Sequence, residues 1–248
     1  MAEPVVTVRN LHAAFEDRTV LSGISFTAYR DQITVIMGAS GSGKTTILKH
    51  LIGLYPVQQG EVEVLGCPLH SADQERLSDF YRRIGVLFQN GALLNSITVG
   101  ENVSIPLEQN TSLPRPIIDL LVDYKLKQVH LDHARHLMPY QLSGGMHRRA
   151  GLARALALDP PLLFCDEPSS GLDPVTLAGL DQLFLALKKQ LNMSMVIVSH
   201  VLESVRRIAD RVVFVHEGQI LFEGALDEAE RSSLEPLQRF FHPPLQSS

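Results

Sequence analysis

Gly38-Ala39-Ser40-Gly41-Ser42-Gly43-Lys44-Thr45 follows an apolar run at residues 33–37 and leads into helical periodicity over residues 45–54. The spacing is G-x-x-x-x-G-K-[ST], with the strand before and the helix after that this pattern requires. Glycines let the chain turn so that successive N–H groups point inward at an anion. The helix that follows places roughly half a positive charge at its N-terminus. Lys44 can bridge terminal phosphates, the Thr45 hydroxyl can ligate Mg²⁺, and Thr46 carries the loop into the helix. A Gly/Ser turn that only caps a helix explains the glycines but not Lys44 or the preceding strand. The bare pattern arises by chance in about one chain of this size in a hundred. Residues 38–46 are therefore read as a phosphate cradle.

Working outward, short β-rich runs lie at residues 5–9, 24–29, 33–37, 61–65, 84–88, 162–166, 195–199, 211–216 and 219–223. Several are almost continuously apolar, which suits parallel strands buried on both faces. The runs at 5–9 and 61–65 alternate instead, which suits an antiparallel piece open on one side. Helical periodicity falls at residues 73–83, 116–124, 144–158, 174–191 and 201–209. Residues 91–160 contain helix patterns and no convincing strand. The expected organisation is one domain over residues 1–248. Its core is 1–90 and 161–248, with a helical insertion at 91–160. The Pro/Ser-rich tail from His242 to Ser248 is expected to be loose.

Leu162-Leu163-Phe164-Cys165-Asp166-Glu167 ends four apolar residues in two carboxylates. A buried strand with that ending suits a bound cation. Asp166 would hold Mg²⁺, directly or through water, and Glu167 would face a water attacking the γ-phosphate. Gln89 ends another apolar run, just before the turn signal Asn90-Gly91.

The balance of 45% hydrophobic and 20% charged residues is that of a globular protein. A net charge of -5 argues against a broad nucleic-acid surface. No apolar run approaches the roughly 18 residues needed to span a bilayer, and the N-terminus lacks a secretory pattern. Cys67 and Cys165 form no metal-spaced cluster, so a reducing compartment is expected. His130, His133 and His136 recur at steps of three. On a helix such steps drift by about 60° each, so a solvated helix face is expected and no metal site. His147, Arg148 and Arg149 are expected on an exposed helix side.

Leu142-Ser143-Gly144-Gly145-Met146, with the phosphate loop, Gln89, Asp166-Glu167 and Ser199-His200, resembles the nucleotide-binding subunit of ABC transporters over nearly the whole chain. The resemblance implies a P-loop NTPase fold: a mostly parallel ATP-binding core, an antiparallel β subdomain and an inserted helical subdomain. It implies ATP and Mg²⁺, and a head-to-tail homodimer with two ATPs at the interface. It casts Ser143, Gly144 and Gly145 as donors to the γ-phosphate on the other protomer. Met146 stands where Gln is common and cannot donate a hydrogen bond. Ser170-Gly171-Leu172-Asp173 resembles the interface loop, with Gly171 in place of the usual Ala and a slightly more mobile loop expected. His200 resembles the switch histidine that orients water with Glu167. Phe15 falls where the family stacks an aromatic on adenine. Gln89 becomes a Mg²⁺ ligand beside Thr45 and Asp166, and a joint to the helical insertion.

Three stretches are more particular: residues 87–96, residues 106–114 and residues 136–155. With Leu237-Gln238-Arg239-Phe240, they are similar to the ATPases of Mla/MCE lipid-transport systems. That similarity implies an inner-membrane permease, MCE-domain lipid-binding partners, in some complexes a small cytoplasmic accessory protein, and a peripheral place on the cytoplasmic side of the inner membrane. The cargo would be phospholipid or a related lipid. The apolar Gly91-Ala92-Leu93-Leu94 would line the groove for a permease helix. The alternatives are an ABC importer for amino acids or another small solute, and a soluble non-transport ABC ATPase. The single phosphate loop and the lack of a heptad run speak against the last.

Overall fold

The computed structural model describes residues 3–16 and 18–242. The chain runs β1 (Pro4–Phe15), β2 (Arg18–Tyr29), β3 (Ile33–Met37), α1 (Lys44–Leu51), β4 (Gln59–Val64), β5 (Cys67–Pro68), α2 (Gln74–Arg83) and β6 (Ile84–Leu87). Three α-helices follow with no strand between them: α3 (Val99–Asn110), α4 (Arg115–Gln128) and α5 (Gly144–Ala155). The chain returns through β7 (Leu162–Asp166), α6 (Pro174–Leu191), β8 (Ser194–Val198), α7 (Leu202–Ile208), β9 (Arg211–His216) and β10 (Gln219–Ala225). It closes with α8 (Leu226–Glu230) and α9 (Glu235–Phe241).

The apolar runs form a six-stranded sheet of order β10-β9-β3-β8-β7-β6. All its neighbours are parallel except β10 on β9. β3 and β8 are buried at all five positions, as strands covered on both faces must be. Alternation along β3 sends Ile33, Val35 and Met37 into one hydrophobic cluster and Ile36 into the other. The second sheet, β2-β1-β4-β5, is antiparallel, and β4 alternates between exposed and buried residues near its end. The architecture is the expected one: a mostly parallel core sheet, an antiparallel β subdomain and an inserted helical subdomain.

Some expectations fail. Helix α3 was not legible, because Pro106 sits inside it and its apolar stripe is weak. It is fixed from outside by a capping box, in which Thr98 and Glu101 satisfy each other's backbone N–H groups. The three histidines are exposed but share no helix face. His130 takes a left-handed turn at φ 58, and His133 lies in a short 3₁₀ turn. No three His, Cys, Asp or Glu among the described residues could hold a metal. No described helix is long and apolar enough to cross a membrane. Of the tail expected to be loose, only His242 lies within the described residues.

The apolar stretch after Gln89 is also corrected. Gly91 and Leu93 are buried, Leu93 at 8% exposure in the larger core cluster, so Leu93 lines no groove; Ala92 and Leu94 face out, Leu94 at 51%. Arg154 of α5 donates to the carbonyls of Ala92 (2.8 Å) and Gly91 (2.9 Å). Asn102, fully buried on α3, donates to Leu94 O (3.1 Å) and accepts from Leu94 N (2.7 Å). The loop is clamped from both sides, and that clamp turns Leu93 inward. Leu93→Asp should lower folding stability by more than about 3 kcal/mol, because it buries an unpaired charge. Leu94→Asp should stay within about 0.5 kcal/mol of the parent. Chemical denaturation midpoints of the two variants check this.

Candidate nucleotide site

β3, β6, β7 and β8 run parallel, so the loops leaving their carboxyl ends share one edge of the sheet. Open α/β sheets bind ligands at that edge. The four loops carry the phosphate loop, Gln89, Asp166-Glu167 and Ser199-His200. A cavity of about 610 Å³ lies there. Gly38, Ala39, Ser40, Gly41, Gly43, Lys44, Thr45 and Thr46 line it together with Gln89, Glu167 and His200.

Glycine is required at Gly38, where φ is +151 and a Cβ would lie 2.1 Å from the Val215 carbonyl oxygen. Gly43, at φ +105, delivers the chain into α1, and no side chain among the described residues caps that helix start. The first N–H groups of α1 thus face the cavity side without a protein acceptor, as an anion site needs. The Ser42 hydroxyl is likewise buried with no partner among the described residues. Lys44 is 5% exposed, and its ammonium donates to Gly38 O (3.0 Å) and Ala39 O (2.7 Å). Burial holds its pKa below the ordinary lysine value, while Glu167 and Asp166 pull it partly back.

Thr45 donates its hydroxyl proton to Asp166 Oδ1 across 3.3 Å. Burial pushes the Asp166 carboxyl above its usual range, against the Thr45 hydrogen bond. Such a carboxylate gains from a cation. Hydroxyl, carboxylate and the Gln89 amide oxygen are hard oxygen donors, and this set fits Mg²⁺. Glu167 adopts φ +49, a left-handed conformation that non-glycine residues seldom hold without reason. Its N–H donates to Val198 O (2.9 Å), which ties the turn to β8. Its carboxylate pairs with Nδ1 of His200. Gln89 is exposed, with Nε2 3.5 Å from the Ser170 hydroxyl.

Other candidates lie apart from this cavity. Ser143 caps α5, its hydroxyl accepting from Met146 N (3.3 Å), so Met146 contributes through its backbone. Ser143 and Gly144 are exposed, while Gly145 lies where a Cβ would come within 2.6 Å of Thr176 on α6. Asp173 caps α6, accepting from Val175 N and Thr176 N at 3.0 Å each, and the Thr176 hydrogen bonds hold its carboxyl below the usual range. Gly171 sits at φ +71, so glycine there suits a set turn and does more than loosen a loop. Phe15 is absent from the cavity wall. Its ring is 42% exposed and packs edge-on against Tyr55 at 5.3 Å.

His147, Arg148 and Arg149 are half-buried, contrary to the expected exposed face. The Arg148 guanidinium donates to the Ser170 carbonyl and to Gly144 O (3.2 Å). Helix α5 is thus pinned to the turn that follows Glu167. Val20 and Phe240 also line the cavity and were not singled out for it. Phe240 stood in a stretch noted only for its likeness; Val20 gave no signal.

A family model described as ABC transporter matches residues 21–170. The chain is 38% identical over 232 residues to the intermembrane phospholipid transport system ATP-binding protein MlaF of Haemophilus influenzae, covering 94% of this chain and 88% of that protein. It is 34% identical over 236 residues to the probable ribonucleotide transport ATP-binding protein mkl of Mycobacterium tuberculosis, covering 95% of this chain and 66% of that protein. An ATP-binding cassette solved as a dimer in a post-hydrolysis state with ADP and Pi superposes with a TM-score of 0.81 at 28% identity, covering 89% of this chain and 98% of that one. With a phosphate loop, a carboxylate pair and a histidine on one sheet edge, the chain belongs to the ABC transporter family as an ATP-hydrolysing cassette.

Proposed function

We propose that the chain powers an ABC complex that moves phospholipid or a related lipid between membranes. The observation that carries the lipid assignment is the likeness to MlaF along 94% of the chain, helical insertion included. The chain would sit on the cytoplasmic face of the inner membrane against a polytopic permease, with an MCE-domain protein in the complex and in some assemblies a small accessory protein. Two copies would pair head to tail. Ser143 and Gly144 are exposed away from their own cavity and so free to reach the partner's γ-phosphate. Val175, 82% exposed beside Asp173, supports the same interface. Phe15 keeps an open ring face for adenine.

In hydrolysis, Lys44 and the loop N–H groups would hold the β- and γ-phosphates. Glu167 would align the attacking water and accept its proton, and His200 would steady the Glu167 carboxylate. Thr45, Asp166 and Gln89 would hold Mg²⁺, which supplies charge neutralisation on the phosphate oxygens. Affinity purification of the tagged chain from membranes tests the assignment: a permease and an MCE-domain protein should co-purify. A second reading, transport of a small solute, is favoured by the mkl relative. Recovery of a periplasmic solute-binding protein with no MCE-domain protein would establish that reading.

A further inference from the structure

Ser169, Asp181 and Ser204 are 3%, 0% and 1% exposed, and each comes from a different part of the fold. Ser169 lies in the turn after Glu167, Asp181 inside α6, and Ser204 in the first turn of α7 after His200. Ser204 Oγ donates to Asp181 Oδ1 at 2.5 Å, and Arg207 Nη1 donates to Asp181 Oδ2 at 2.9 Å. The hydroxyls of Ser169 and Ser204 are 3.3 Å apart. A carboxylate only accepts, and a hydroxyl has one proton. Ser204 gives its proton to Asp181, so its oxygen can only accept from Ser169. The chain therefore has one direction, Ser169 to Ser204 to Asp181, and Arg207 closes its far end.

We infer that Asp181 is a positioning residue that locks the turn bearing Glu167 against the turn bearing His200. The two turns are otherwise joined by the Glu167–His200 pair itself and by Glu167 N to Val198 O at 2.9 Å. The Ser169 side is closed onto Glu167 by Ser170 N to Glu167 O at 3.2 Å. The Ser204 side is closed onto the His200 turn by Val205 N to Val201 O at 3.1 Å and Val201 N to Ser199 Oγ at 3.1 Å. Hydrolysis depends on alignment, and a displacement of about 1 Å in a reacting group costs roughly 10²-fold in rate. A buried, fully partnered relay holds that alignment without touching nucleotide. The inference rests on the hydrolytic roles of Glu167 and His200 proposed above.

Ser204→Ala and Ser169→Ala each break the relay with little loss of volume and leave Asp181 paired to Arg207. Each should lower kcat by about three- to tenfold with the KM for ATP within about twofold. Asp181→Asn keeps an acceptor for Ser204 and should retain more activity than Asp181→Ala. In a His200→Ala background, Ser204→Ala should add little further loss, because the geometry it protects is already gone. Steady-state hydrolysis of radiolabelled ATP by the full chain, over a range of ATP concentrations, resolves all of these. Unchanged kcat in both serine variants, or equal losses with and without His200, overturns the relay. If Glu167→Gln and His200→Ala themselves leave turnover intact, the hydrolytic reading fails instead.

Discussion

Glu167→Gln is expected to cut ATP turnover by about 10²–10³-fold while ATP still binds. Glutamine keeps the size of the side chain but removes the charge that would take a proton from water. Each tenfold loss is about 1.4 kcal/mol of barrier, so the change amounts to roughly 3–4 kcal/mol, within reach of one general base. The phosphate loop, Lys44 and the start of α1 are untouched by the substitution. Because bound ATP would no longer be consumed, an ATP-bound dimer should accumulate. Light scattering behind size exclusion, with ATP and Mg²⁺ present, should report twice the monomer mass. A monomer under those conditions would contradict the paired interface; near-normal turnover would contradict the role of Glu167.

The parts of this site that were legible in the sequence are those fixed by local chemistry. A glycine loop between strand and helix, and an apolar run ending in Asp166-Glu167, carry their reason within a few residues. What was not legible depends on partners distant in the chain. Leu93 and Leu94 look alike in sequence, and only the grip of Arg154 and Asn102 on the loop buries one and exposes the other. Arg148 reads as surface until the carbonyl of Ser170 is found beside it. Ser169, Asp181 and Ser204 have no spacing pattern, because tertiary packing of α6 and α7 brings them together. Phe15 is a different case: only its family position suggests a base, and the structure adds an edge-on contact with Tyr55 and a residue left 42% exposed.

Lys44→Ala should abolish nucleotide-dependent activity, and it should do so without weakening the empty fold. The Lys44 ammonium is buried against two loop carbonyls, and burial disfavours its charged form. Removing such a cation relieves a desolvation cost while it takes away two hydrogen bonds, so the unliganded chain should melt close to the parent. Binding is another matter, since the anionic phosphates would lose the one ammonium held inside the loop. A ligand at about 100 times its Kd stabilises the native state by about 2.7 kcal/mol. For a chain of this size that corresponds to roughly 5–10 °C in Tm. Thermal unfolding with and without Mg²⁺-ATP should therefore show that rise in the parent and none in Lys44→Ala. Lys44→Met, which keeps the apolar stem and loses the charge, should behave like Lys44→Ala. A full ATP-induced rise in either variant would show that the ammonium is dispensable and would overturn the assignment of residues 38–46 as the phosphate cradle.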